Sequence, residues 1–117
     1  MKFHEFFENN YIFKIDNFKD IRGIVSKIEL SFDKKIFKNL QLSEILFSTN
    51  YKKGTFRGMH YQSYPYSQAK IILCLNGSID DYVIDLNKNL KFFMKKKKIQ
   101  LSQKNNKAIF INKGLAH

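Results

Sequence analysis

Runs of β-favouring residues recur along the chain at intervals of about ten residues, separated by turn residues, and helix signals are weak. That spacing confines the chain to an all-β sandwich or barrel. The runs cover residues 24–30, 44–50, 55–62, 68–76, 78–86, 98–101 and 108–111. Asn76-Gly77 is the sharpest turn signal, because a type I′ turn needs positive φ at both central residues. It predicts a hairpin in which Leu75 faces Ser78. A second connection, residues 63–67 with the sole proline Pro65, predicts that 55–62 pairs with 68–76 and sets Gln62 opposite Gln68. No linker or internal repeat interrupts the pattern, so residues 1–117 read as a single domain. A chain of 117 residues with 44% hydrophobic and 15% aromatic content can fill one core.

The formal net charge of +11 raises the question of nucleic acid. Only two of the 21 basic residues are arginine, and the densest run, Lys95 to Lys98, contains no Arg or Gly and no aromatic on its C-terminal side. That run reads as a solvated strand edge, where lysine discourages edge-to-edge association, and nucleic acid is not expected as a partner. The field still favours small anions. Cys74, the single cysteine, lies in an apolar run and reads as a small buried hydrophobe. The first ten residues hold no long apolar segment, so neither a signal peptide nor a membrane span is expected, and the expected compartment is the cytoplasm.

Register turns these runs into a candidate site. With Gln62 opposite Gln68, His60 falls opposite Lys70, and paired side chains share a face with Cβ atoms about 5 Å apart. The Asn76-Gly77 turn sets Ile72 opposite Asp81, which brings Asp81 diagonal to Lys70. Hairpin counting therefore gathers His60, Lys70 and Asp81 on one face, with Gln62 and Gln68 beside them. The opposite face, with Met59, Tyr61, Ile71, Leu73 and Leu75, is apolar. Imidazole has an ordinary pKa of about 6.5 and is the side chain best suited to take a proton near neutrality. An ammonium nearby disfavours imidazolium and supplies positive charge where an enolate oxygen develops. The pair fits proton abstraction beside a carbonyl. The two arginines, Arg22 and Arg57, each precede a glycine, and their planar forks suit bidentate grip on phosphate or carboxylate. Simple alternation, however, sets Arg57 on the face opposite His60, so a gripping Arg57 requires a bulge near Gly58.

These residues resemble the dTDP-4-dehydrorhamnose 3,5-epimerase family. The likeness lies in Gly54-Thr55-Phe56-Arg57-Gly58-Met59-His60-Tyr61-Gln62, then Pro65, Gln68 and Lys70. It continues through Gly77 to Asp85 and Ile111 to His117, with Asp20-Ile21-Arg22-Gly23 upstream. The resemblance implies a cupin-type double-stranded β-helix, or jelly-roll barrel, lacking its C-terminal part, in a homodimer acting on a dTDP-4-keto-6-deoxy sugar. By that likeness His60 abstracts the proton at carbon 3 or 5, Lys70 stabilises the enolate, and Arg57 and His117 hold the substrate. Arg22 helps bind the nucleotide-diphosphate end. No cofactor is implied. Metal-binding cupins use His-x-His and a later His, but Gln62 takes the second position here, and two imidazoles are too few for a metal site.

Departures from the family pattern are specific. Lys27 stands where the family has Glu, Glu44 and Leu46 replace a Q-x-N segment, and Asn112 stands where the family has Pro. The family's acid tyrosine and base-orienting aspartate fall beyond residue 117. Two other readings compete: a sugar ketoisomerase of the same superfamily, or a catalytically incomplete cupin that binds nucleotide-sugar or serves as an assembly partner.

Overall fold

The computed structural model describes residues 2–30, 35–37 and 40–117. Nine strands and no helix occur among them, so the all-β expectation holds. In chain order they are β1 (Phe3–Phe7), β2 (Asn10–Lys14), β3 (Asp16–Asp20), β4 (Gly23–Lys27), β5 (Lys70–Leu73), β6 (Ser78–Asp85), β7 (Lys96–Ser102), β8 (Lys107–Ile111) and β9 (Leu115–Ala116). A four-stranded sheet has the order β1-β2-β8-β5, and a three-stranded sheet the order β7-β6-β9. Strands β3 and β4 form a separate hairpin whose strand residues are all exposed.

Strand β8 explains why the two larger sheets pack. It is central, and its side chains alternate between two apolar clusters. Ile109 and Ile111 point into a core shared with Phe6, Phe7, Val83, Ile99, Leu101 and Leu115, which joins the two sheets. Ala108 and Phe110 point the other way, where Phe13, Ile15 and Phe37 cover the second face. Consecutive Phe6 and Phe7 enter the same core because the β1–β2 register shifts between Glu5 and Phe7. Such a bulge breaks the two-residue alternation. Val83, Leu101 and Ile109 are fully buried, and each contributes about 1.5–3 kcal/mol by leaving water.

The pairing differs from the hairpins that the turn signals predict. Strand β5 pairs with β8, Lys70 facing Ile111, and not with 55–62 or β6. Gly77, at φ +75°, lies where the chain crosses from one sheet to the other, and β6 instead pairs with β7 and β9. The expected strands at 44–50 and 55–62 do not form; residues 40–63 hold no strand and are exposed. β-Propensity alone does not make a strand without a neighbouring edge to satisfy its backbone. The expected run 68–76 shortens to β5, whereas 98–101 and 108–111 lengthen to β7 and β8. The β1–β2 hairpin and β3 went unpredicted. Their signals were local: Asn9 takes φ +58° in the first turn and its N–H donates to Glu5 Oε1 at 2.7 Å. The lysine run lies on edge strand β7, exposed, with Lys98 3.6 Å from Asp80. Cys74 is half-buried against the main core, its Sγ 3.2 Å from the Asn76 carbonyl.

Candidate active site

The end of β6 builds the platform. Asp85 is 1% exposed, and its Oδ1 accepts from the Asn87 backbone N–H at 2.8 Å and from Asn87 Nδ2 at 3.0 Å. Asn87 is thereby held against Gly114, where a Cβ would collide with the Asn87 amide. Gly114 has φ +91°, and its carbonyl accepts from Leu86 N–H at 3.0 Å. Only glycine fits there without displacing Asn87. Strand β9 then runs antiparallel to β6, with Leu115 opposite Asp85 and Ala116 opposite Ile84.

One residue further, His117 exchanges two backbone bonds with His60. The His60 N–H donates to the His117 carbonyl at 2.7 Å, and the His117 N–H to the His60 carbonyl at 3.1 Å. This is the bonding of an antiparallel pair reduced to one rung. The two rings stand 5.7 Å apart between centroids. Gly58 permits the approach: at φ +123°, a Cβ there would lie 3.1 Å from the His117 carbonyl oxygen. On its other side, His117 Nδ1 is 3.3 Å from Asp81 Oδ1, and both side chains are largely buried.

His60, Gln62, Gln68, Lys70 and His117 line one small recess, closed by Tyr61, Ile111, Gly114 and Leu115. The grouping expected from hairpin counting is therefore present, but its route is different. Lys70 arrives on β5 from the four-stranded sheet, His60 is carried by its bond to His117, and Asp81 joins through His117. The position of His117 had no local signal, since it depends on β9 pairing with β6. The two arginines are not brought in. Arg22 lies at the β3–β4 turn, its guanidinium 2.5 Å from Asp20 Oδ2, and the pairing holds the exposed Asp20 carboxyl below its ordinary 3.8. Arg57 Nε donates to Asn50 Oδ1 at 2.6 Å and is not part of the recess lining. A larger hollow of about 310 Å³ is lined by Phe56, Met59, Tyr82, Val83, Ile84, Lys96 and Lys97. It offers no carboxylate, imidazole or thiol, whereas both His60 and His117 line the smaller recess. Among the described residues no cluster of three or more His, Cys, Asp or Glu is arranged to hold a metal ion.

The fold is all-β and of the cupin type, and comparison with known proteins gives the family. NovW, a 4-keto-6-deoxy sugar epimerase from Streptomyces spheroides, superposes with a TM-score of 0.90 at 23% identity, over 100% of this chain and 60% of that one, a likeness of fold. The dTDP-4-dehydrorhamnose 3,5-epimerase of Bacillus anthracis, solved with TDP and PPi bound, gives a TM-score of 0.76 at 29% identity over 97% of this chain and 66% of its own. The Shigella flexneri dTDP-4-dehydrorhamnose 3,5-epimerase is 33% identical over 110 residues, 91% of this chain and 59% of its length. The family model described as dTDP-4-dehydrorhamnose 3,5-epimerase matches residues 6–117. The chain belongs to the dTDP-4-dehydrorhamnose 3,5-epimerase family. It spans 59% of the length of the Shigella relative.

Proposed function

We propose that the protein is an isomerase, epimerising a dTDP-4-keto-6-deoxy sugar at carbon 3, carbon 5 or both, in cytoplasmic deoxysugar synthesis for surface polysaccharide. The observation that carries this reading is the shared recess of His60, Lys70 and His117. A carbon next to a ketone gives up a proton only if a base meets it while positive charge meets the developing oxyanion. His60 acts as that base, and Lys70 provides the charge that stabilises the enolate. His117 holds the substrate beside them. His60 gives up its proton to solvent and solvent supplies one on the opposite face of the enolate, which inverts the centre; no cofactor takes part.

Arg57 is assigned with His117 to holding the substrate, and Arg22 to the nucleotide-diphosphate end. Neither arginine lines the recess, and the chain's net charge of +11 favours an anionic substrate. A homodimer is part of the proposal; exposed Phe18, Ile24 and Val25 on the outer hairpin supply apolar surface for a second copy. The test is incubation with dTDP-4-keto-6-deoxyglucose in heavy water. Label at carbon 3 or 5 is expected, and its absence refutes the epimerase reading. His60→Ala and Lys70→Ala should each abolish labelling; full exchange in either variant removes that residue from its role.

A further inference from the structure

We infer that Asp81 is a positioning residue that fixes the tautomer of His117 and so presents Nε2 as a hydrogen-bond acceptor for a substrate hydroxyl. The inference rests on the epimerase reading for the identity of the ligand, but not for the tautomer.

Asp81 lies on the inward side of β6, in step with Val83 and Asp85, and is 9% exposed. Its Oδ1 is 3.3 Å from His117 Nδ1. An ionised carboxylate can only accept, so it favours hydrogen on the imidazole nitrogen beside it. A neutral imidazole with hydrogen on Nδ1 has its lone pair on Nε2. Among the described residues, His117 Nε2 is the buried side-chain nitrogen or oxygen atom left without a hydrogen-bond partner. A buried polar atom without a partner is costly, and a ligand that completes it recovers the loss.

Nor is the ring free to turn away. The His117 backbone is tied to His60 by two bonds, and its side chain is 15% exposed. His117 therefore lines the recess as a held acceptor, a few ångströms from the His60 ring. The ligand group that matches a nitrogen lone pair is a hydroxyl donor, and a 4-keto-6-deoxy sugar carries hydroxyls next to its reacting carbons. Such a contact is made in the bound substrate and kept in the transition state, so it acts on binding and leaves turnover little changed.

Two-bond ¹H–¹⁵N correlation spectra of the ¹⁵N-histidine-labelled chain, recorded at alkaline pH, read the tautomer directly. His117 should show a protonated Nδ1 and a bare Nε2; a protonated Nε2 in the unaltered chain overturns the inference. In Asp81→Ala the Nε2–H form should appear, and persistence of pure Nδ1–H there also overturns it. If that variant fails to fold, the unaltered chain's spectrum still decides. With dTDP-4-keto-6-deoxyglucose, Asp81→Ala should raise KM about 10- to 100-fold while kcat changes far less. A fall confined to kcat refutes the positioning role. Absence of exchange in the unaltered chain would defeat the epimerase reading alone, since the tautomer is read without substrate.

Discussion

Replacing Gly58 by alanine tests whether the recess is held by the close approach of two backbone segments. At φ +123° a side chain is strained, at about 1–3 kcal/mol. Its Cβ would also sit 3.1 Å from the His117 carbonyl oxygen and 3.4 Å from the His60 nitrogen, the two atoms joined by the 2.7 Å bond. Relief requires the segments to part, which weakens two bonds of about 1 kcal/mol each. The sum is about 3–5 kcal/mol, or a fall in Tm of about 12–20 °C for a chain of this size. Gly54→Ala is the matched control, because Gly54 has φ +83° but a Cβ added there meets nothing within 4 Å. It should cost only backbone strain, about 1–2 kcal/mol. Displacing His60 by about 1 Å should also slow deuterium incorporation about 10²-fold in Gly58→Ala and leave Gly54→Ala near normal. Thermal unfolding and exchange assays on both variants decide the matter. Equal Tm losses with undiminished exchange in Gly58→Ala would refute the argument that this approach builds the site.

Asn10→Ala should destabilise by about 2–3 kcal/mol in chemical denaturation, because Asn10 is 1% exposed and joins the Glu8 carbonyl to the Asn112 N–H, each at 2.7 Å. Leu101→Ala, at a site with 0% exposure between the two sheets, should cost about 2–5 kcal/mol by the same measurement. Arg22→Gln should return the Asp20 carboxyl, followed by carbon-detected NMR titration, up toward its ordinary 3.8. Since that carboxyl is held low in the folded chain, its pairing supports the hairpin at neutral pH and is lost as pH falls below 3.8; the variant should lose this acid sensitivity.

The sequence was informative wherever a local signal and a buried partner agreed. Strands β6 and β7 alternate in step with their buried positions, as Asp81, Val83 and Asp85 or Ile99 and Leu101 show, and β8 is an apolar run buried on both faces. Residues 44–50 and 55–62 are β-rich too, yet they remain without strand structure, and His60 alone makes a single rung, with His117. The Asn76-Gly77 turn failed as a hairpin signal because two sheets compete for the flanking strands. Strand β5 half-buries Ile71 and Leu73 against one cluster and Ile72 against the other, where it pairs with β8. The recess was legible in its membership and not in its construction. His60 and Lys70 stand out by chemistry, whereas the dependence on Gly58, Gly114 and Asp85 arises from contacts between distant segments.

The single rung between His60 and His117 also sets how the site comes apart. Proteins open locally at the least protected units long before they unfold globally. Here His60 belongs to a segment that is otherwise exposed and is fastened through a strand of two residues. The recess will therefore open and close as a small unit of its own, and the fraction of time His60 spends correctly seated is governed by that local equilibrium. The amide protons of His60 and His117 should exchange with solvent together, and well before those of Val83 or Ile109.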